Sequence, residues 1–389
     1  MCPVLEFKDV IYAYPNSPSS LNGVNFSIRK GKKIALVGPN GAGKTTLLLM
    51  CNGILRPDAG TVIFNGEPIR YDSASLREVR KKIGLVFQNS DSQLFAPTVY
   101  QDVAFGPVNL GMDKNEVKGL VTRGLNAVGL AGYEKRPPHQ LSGGEKKRAA
   151  IAGILVMEPE VLIFDEPTSS LDPTGAADLM ELLDELNAQG KTIIISTHDV
   201  ELAYNWADDI ILMNHGVVVH QGLPEAVFTD PQLISTTNLR TPAIIEIYTE
   251  LVARRMLDST GSPKSVLHLV NALEKRFNHC DNKTSYGSIA VCNVDVVPAG
   301  DIHAWLVRFP AHRRGAMGSR AKVLAEREKI ALDFTYGVID KCILRALIGE
   351  SSLVLTSEGM VKRVERRVLA FDEESGIRIP VIPMGEKKL

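Results

Sequence analysis

Three observations predict an α/β fold for most of the chain. Lys33-Ile34-Ala35-Leu36-Val37 is an apolar run that breaks into a glycine-rich stretch, Gly38 to Gly43, and resumes as Leu47-Leu48-Leu49-Met50, which reads as strand, loop and helix in succession. Val161-Leu162-Ile163-Phe164 and Thr192-Ile193-Ile194-Ile195 are short apolar or β-branched runs without polar alternation, the pattern of strands buried on both faces of a parallel sheet. Upstream, Leu5, Phe7, Val10 and then Val24, Phe26, Ile28 recur loosely on either side of Pro15-Asn16-Ser17-Pro18, as an antiparallel strand region would. Residues 279–389 carry their own strand and helix alternation and predict a second, small α/β domain.

The 389 residues exceed one average domain. We divide them at 240 and 278, which separates the large α/β part from a helix-prone stretch (241–278) and from the C-terminal segment (279–389). Lys and Arg total 44 against 45 Asp and Glu, so no net basic field exists to hold nucleic acid by counterion release. The opening Met1-Cys2-Pro3-Val4-Leu5-Glu6-Phe7 lacks the charged and apolar regions of a signal peptide, so a cytosolic location is expected. Apolar runs such as Ile151 to Met157 are far shorter than the roughly 18 residues of a spanning helix. Cys2, Cys51, Cys280, Cys292 and Cys342 are scattered and form no C-x-x-C pair, which suits reduced thiols. His279-Cys280 with Cys292 and His303 match no regular zinc spacing.

The chemistry begins at Gly38-Pro39-Asn40-Gly41-Ala42-Gly43-Lys44-Thr45-Thr46. Holding a polyphosphate takes several backbone N–H groups aimed at one anion, and glycines let the main chain turn tightly and come close. Lys44 is spaced to reach the β- and γ-phosphates, the Thr45 hydroxyl can ligate Mg²⁺, and Thr46 can touch the α-phosphate. Tyr14, just before the first turn, is placed either to stack on an adenine base or to pack as a turn tyrosine. Gln88 follows the apolar Ile83-Gly84-Leu85-Val86-Phe87, where an amide can ligate Mg²⁺ or orient a water.

Ser142-Gly143-Gly144 opens a helix that runs through Glu145-Lys146-Lys147-Arg148, and a helix start of this kind offers N–H donors and a positive dipole end to an anion. Standing alone it would be an ordinary N-cap. Asp165 and Glu166 end the buried strand; Asp165 is placed to hold Mg²⁺ through its water shell and Glu166 to take a proton from the attacking water. His198, after the strand ending at Thr197, can bond the γ-phosphate.

Taken in order, Tyr14, the glycine loop, Gln88, Leu141 to Glu145, Asp165-Glu166, Ser169-Ser170-Leu171-Asp172 and His198 resemble the ATP-binding cassette family. That resemblance implies a P-loop NTPase cassette with a mixed-sheet core, an antiparallel β subdomain and a helical subdomain, and ATP and Mg²⁺ as cofactors. It implies a second ATPase subunit, docked head to tail, so that Ser142-Gly143-Gly144 of one caps the nucleotide held by Lys44 of the other, with Asp172 along the seam. The stretch Val86 to Val99 with Asp102 to Pro107 is similar to the energy-coupling-factor ATPases, especially those of cobalt importers. This implies a peripheral subunit at the cytoplasmic face of the membrane, coupled to membrane-spanning subunits through the apolar Leu94, Phe95 and Pro97. Ser90 and Ser92 depart from the usual proline and aspartate of such relatives. The similarity runs over residues 4–278, where 241–278 would serve subunit pairing. Nickel or a vitamin as the transported substrate, and a non-transport ATPase controlled by the C-terminal segment, are the competing readings.

In residues 279–389 we expect a strand pair, Ser288 to Val297 and Ile302 to Phe309, then a basic glycine-rich loop, Arg313 to Arg320, and a helix to Glu328. Helix Tyr336 to Ile348, strand Ser352 to Leu355, helix Gly359 to Phe371 and strand Ile379 to Ile382 should follow. The basic loop and Thr356-Ser357 are the two places where an anion could bind. With every group needed for hydrolysis lying before residue 200, this segment is expected to regulate and not to catalyse.

Overall fold

The computed structural model describes residues 3–16, 19–237, 239–259, 261–277 and 286–384. Cys2, His279 and Cys280, and Ser17 and Pro18 of the first expected turn, lie outside the described residues. Two compact units are present: Met1–Asp172, Gly190–Glu250 and Ser259–Lys264 in the first, and Pro173–Gln189, Leu251–Asp258 and Ser265–Leu389 in the second.

The strands of the first unit are β1 (Pro3–Ala13), β2 (Ser19–Arg29), β3 (Lys33–Val37), β4 (Ala59–Phe64), β5 (Glu67–Pro68), β6 (Ile83–Val86), β7 (Val161–Asp165), β8 (Thr192–Thr197), β9 (Asp209–Asn214) and β10 (Val217–Gly222). Its helices include α1 (Lys44–Cys51), α2 (Ser73–Lys82), α3 (Val99–Asn109), α4 (Lys114–Ala127), α5 (Gly143–Leu155), α7 (Val200–Trp206), α8 (Pro224–Phe228) and α9 (Pro231–Thr237), and α10 (Ala243–Ala253) begins in it. One sheet is antiparallel, in the order β2-β1-β4-β5, as the loose apolar alternation of the N-terminal region predicts. The other is mixed, in the order β10-β9-β3-β8-β7-β6, with β10 antiparallel to β9 and the rest parallel. β7 and β8 are buried along their whole length, which is why neither shows polar alternation. A single core joins the two sheets through Phe7, Phe26, Ile34, Leu36, Leu47, Leu48 and Ile163. Stacked Phe7 and Phe26, with centroids 4.5 Å apart, close it at the antiparallel side.

Helices α3, α4 and α5 form the helical part, packed on one another. Thr98 and Asp113 cap α3 and α4 by accepting from the backbone N–H groups of Gln101 and Asn115. The mixed sheet, antiparallel subdomain and helical subdomain are those that the resemblance to ATP-binding cassettes implies. No helix among the described residues is long and apolar enough to cross a membrane.

The second unit is built on a four-stranded, all-parallel sheet: β11 (Ile289–Asn293), β12 (Arg313–Met317), β13 (Ser352–Thr356) and β14 (Val381–Met384), ordered β12-β13-β11-β14. Helices α12 (Ala299–Arg308) and α13 (Ser319–Arg327) cover one face, and α14 (Val338–Leu347) and α15 (Glu358–Ser375) the other. Two helices from elsewhere in the chain belong to this unit, α6 (Pro173–Ala188) and α11 (Val266–Phe277).

Two expectations fail here. Ile302 to Phe309 is not a strand but most of α12: Pro298 stands at its N-cap, and Ile302 and Leu306, one turn apart, are its buried positions. Arg313 to Met317 is not a loop but β12. Gly315 fits there because a Cβ would lie 2.4 Å from Val338 Cγ1, a helix contact that leaves room for no side chain. The arginine at its start is already paired, Arg313 with Asp333 at 3.2 Å and Glu350 at 3.1 Å, so that side chain is not open to an anion. Cys51, Cys292 and Cys342 are free and buried, and burial pushes each thiol up to about 12.

Candidate functional site

β6, β7, β8 and β3 lie side by side and run parallel, so the segments that follow them open on one edge of the sheet. Gly38 to Thr46 continue β3, Gln88 follows β6, Asp165 and Glu166 stand at the end of β7, and His198 follows β8. Ligand sites of parallel sheets lie at such carboxyl edges.

Steric necessity explains two of the loop's glycines. A Cβ on Gly38 would fall 2.3 Å from the Met213 carbonyl oxygen. On Gly43, whose φ of 97° is left-handed, a Cβ would fall 2.7 Å from the Ser20 carbonyl oxygen. Lys44 opens α1 and lies back across the loop, its Nζ donating to the carbonyls of Gly38 at 2.7 Å and Pro39 at 3.1 Å. Burial lowers the pKa of Lys44, and the carboxylates of Glu166 and Asp165 oppose that shift.

Next to it, Thr45, Asp165, Ser196, Glu166 and His198 form one connected chain. Thr45 Oγ1 donates to Asp165 Oδ2 at 2.8 Å, and Ser196 Oγ donates to Asp165 Oδ1 at 2.5 Å while accepting from the Glu166 N–H at 2.9 Å. Register causes this: Asp165 of β7 is paired directly with Ser196 of β8. Glu166 has a φ of 46°, a conformation unfavourable for a residue with a Cβ. It is held there by Ser196 on its N–H and by Ser169 Oγ, which donates to its carbonyl at 2.8 Å. The carboxylate lies between Lys44 Nζ, 3.9 Å from Oε1, and His198 Nδ1, 2.9 Å from Oε2. Asp165 and Glu166 are buried, whereas the His198 ring is 63 % exposed.

Tyr14 reaches the same loop helix, its hydroxyl 3.3 Å from Thr46 Oγ1, and its ring meets that of Tyr12 edge-on at 5.1 Å. It stands beside the loop and is 36 % exposed.

Two sequence-predicted groups are not joined to this cluster. The Gln88 side chain is exposed and makes no hydrogen bond among the described residues; it is the main-chain carbonyl of Gln88, with that of Phe87, that is held, each accepting from Lys147 Nζ at 2.9 Å. Ser142 caps α5 in a reciprocal box with Glu145, Ser142 N–H to Glu145 Oε2 at 2.7 Å and Glu145 N–H to Ser142 Oγ at 3.3 Å. Ser142 and Gly143 are exposed, and no hydrogen bond among the described residues joins them or Gly144 to the loop of Gly38 to Thr46.

Sequence reasoning assigned no contact of their own to Ser196, Ser169 and Lys147. A hydroxyl interrupting the apolar Ile193-Ile194-Ile195 run is the one visible sign of Ser196. Lys147 looks like one of three basic residues in a row, yet it is 3 % exposed, and burial brings its pKa down to about 8 against the pull of Asp165.

A loop of backbone amides under a lysine, a hydroxyl–carboxylate pair and a fixed second carboxylate, all at one carboxyl edge, are the parts of a nucleoside triphosphate hydrolase. The ABC transporter family model matches residues 21–169. The chain is 52 % identical over 384 residues to the energy-coupling factor transporter ATP-binding protein EcfA2 of Methanospirillum hungatei, an alignment covering 98 % of this chain and 96 % of the relative. It is similar to the structure of CbiO1 of Clostridium perfringens, part of the ABC transporter complex CbiONQ, at 42 % identity and a TM-score of 0.56, covering 64 % of this chain and 99 % of the other. It is also similar to a dimeric ATP-binding cassette in a post-hydrolysis state bound to ADP and Pi, at 29 % identity and a TM-score of 0.51, covering 57 % and 98 %. The chain belongs to the ATP-binding subunits of ABC transporters, within the energy-coupling factor group, and is a transport ATPase.

Proposed function

We propose that this ATPase uses MgATP to drive a membrane importer of cobalt ions, as a peripheral subunit at the cytoplasmic face, paired with a second cassette and with separate membrane-spanning subunits. The observation that carries the catalytic part is the unbroken chain Thr45–Asp165–Ser196–Glu166–His198 beside Lys44. Gly38 to Gly43 and Lys44 bind the phosphates, Thr46 sits at their inner end, and Tyr14 lines the base side. Thr45, Asp165 and Gln88 would hold Mg²⁺. The first two are hard oxygen donors already within 2.8 Å of each other, which suits that ion. Bound there, Mg²⁺ would neutralise phosphate charge.

Glu166 is the general base. Its backbone is pinned at both N–H and carbonyl, so its carboxylate can turn only about its own side chain, and it takes the proton of a water directed at the γ-phosphate. His198, now on Glu166 Oε2, is within reach to exchange that bond for one to the γ-phosphate. Ser142 and Gly143, both exposed, and Gly144, all unjoined to their own loop, fit the role of capping the nucleotide of a second cassette; the similarity to a dimeric cassette supports this reading. Residues 1–240 then act as the cassette, 241–278 in pairing and 279–389 as an accessory domain.

Phe95, 66 % exposed, meets Phe105, 50 % exposed, edge-on at 4.9 Å. Buried Asp102 fixes their loop by accepting from the N–H groups of Phe95 and Ala96 at 3.0 and 2.9 Å. Pro97 is exposed as expected, but Leu94 is half-buried. This apolar surface fits a membrane partner's helix. Cobalt as cargo rests on the resemblance of Val86 to Val99 and Asp102 to Pro107 to the ATPases of cobalt importers. Uptake of radioactive cobalt and nickel by cells carrying the wild-type chain or its Lys44→Ala variant tests it. Cobalt uptake lost with Lys44→Ala bears the proposal out, and unaffected cobalt uptake alongside lost nickel uptake rejects it.

A further inference from the structure

In the second unit β11 and β13 are neighbours, yet the chain leaves β11 toward α12 on one face and leaves β13 toward α15 on the other. Where adjacent parallel strands send their connections to opposite faces, a crevice opens at their carboxyl ends. Register aligns Asn293, Thr356 and Met317 along that edge. Two helices begin there, α13 after Gly318 and α15 after Ser357; neither N-cap residue supplies a side-chain cap, and the first amide of α15, the Glu358 N–H, donates instead to Asp295 Oδ2 at 2.9 Å, a carboxylate that also accepts from Arg320.

Carboxylates of α6 occupy the edge. The Gly318 N–H donates to Glu181 Oε2 at 3.1 Å. Glu185 Oε1 lies 2.0 Å from where a Gly318 Cβ would stand, with Ser357 Oγ 3.7 Å from the same point, so only glycine at 318, with its φ of 87°, admits that carboxylate. Lys322, one turn into α13 with a side chain 16 % exposed, pairs with Glu181 and Asp178 at 2.7 Å each. Arg363 of α15 pairs with Asp184 at 2.7 Å.

The fit is incomplete. Glu185 Oε1 and Ser319 Oγ are buried without a hydrogen-bond partner, as is Thr356 Oγ1 on a fully buried side chain. Ser357, 8 % exposed and facing the Gly318 notch, makes no side-chain hydrogen bond among the described residues. Burial, reinforced by Glu181, raises Glu185 to about 7. The Gly318 amide and Lys322 are held by Glu181, while the hydroxyls of Ser319, Thr356 and Ser357 and Glu185 Oε1 are left unspent at the same edge.

We propose that this edge is a binding site for a small anion bearing a carboxylate or phosphate group, with Lys322, Ser319, Ser357 and the Gly318 amide as its donors, and that Glu181 and Glu185 of α6 are intramolecular occupants which the ligand displaces. α6 begins directly after Asp172, so displacement would free the helix that continues the segment assigned to the cassette seam. That last consequence rests on the proposed function; the binding site does not.

Calorimetric titration of the full-length chain with inorganic phosphate and, separately, with succinate tests the site. Using the Lys44→Ala background throughout silences phosphate binding at the nucleotide loop. Glu181→Gln/Glu185→Gln should bind one of the two anions at least tenfold more tightly than the parent, and amide exchange along Pro173–Ala188 should speed up in the parent when that anion is added. Lys322→Gln, checked for a cooperative melt, and Ser357→Ala should each weaken binding at least fivefold. Phosphate alone binding assigns a phosphoryl ligand, and succinate alone a carboxylate. No binding by either protein, equal affinity with and without the two glutamates, or binding unaffected by both Lys322→Gln and Ser357→Ala overturns the proposal.

Discussion

The carboxyl edge of the six-stranded sheet and that of the four-stranded sheet use the same device to opposite ends. Each places a left-handed glycine, Gly43 or Gly318, before a helix, so that backbone amides face outward with no Cβ in the way. Around Gly43 the acids belong to the edge itself: Asp165 and Glu166 end a strand, are fixed by Ser196, and leave the loop amides for a ligand. Around Gly318 the acids come from α6 and occupy the amide and the lysine. On the roles proposed above, the edge with built-in acids activates water, whereas the edge filled by acids of a separate helix holds or releases an anion.

Several perturbations separate the two edges. Lys44→Ala should have the largest effect, weakening nucleotide binding on the order of 100-fold through loss of a charge-assisted contact. Equilibrium binding of a fluorescent ATP analogue measures it, and wild-type affinity would break the comparison at its first edge. Phe95→Asp should abolish uptake while the isolated protein hydrolyses ATP at its usual rate, since the exposed ring touches none of the catalytic chain.

Ser196→Ala should slow turnover by roughly tenfold to a hundredfold, because it frees both Asp165 and the strained Glu166 backbone at a cost of about 1–3 kcal/mol. Single-turnover hydrolysis at saturating ATP measures this, and an unchanged rate would mean that register alone fixes the acids. Gly318→Ala, which should destabilise the second unit by about 1–3 kcal/mol through strain and collision with Glu185, should leave nucleotide affinity unaltered.

The smallest effect is one of pH. Glu185 is raised from its ordinary 4.5 to about 7, so the folded second unit binds this proton more tightly than the unfolded chain. Its contribution to stability is therefore full below about 4.5 and is lost as pH rises through about 7. Glu181, raised by burial and opposed by Lys322, acts in the same direction. Thermal melts from pH 5 to 8 should show that unit weakening with pH, and Glu185→Gln should flatten the trend.

These differences also explain what could be read from the sequence. At the first edge nearly every group lies in a contiguous stretch at a strand end, so Lys44, Thr45, Asp165, Glu166 and His198 declare themselves by position. Ser196 and Lys147 do not, because their roles come from cross-strand register and from burial. In the second unit, α12 was hidden by closely spaced apolar residues (Ile302, Trp305, Leu306, Val307, Phe309) that fit either period. β12 was hidden because Gly315 answers to Val338, far along the chain. That α6 would join the second unit was not legible at all, since it depends on Lys322, Gly318 and Arg363 meeting acids more than a hundred residues away.

The assignment of Glu166 as general base is tested most directly by the Glu166→Gln variant, assayed for MgATP binding and for turnover on the same preparation. The amide keeps the size of the side chain and removes its basicity. Binding within about threefold of wild type with turnover reduced on the order of 100-fold or more is the predicted result. Turnover near the wild-type rate would contradict the account, because the proton would then be leaving by another group.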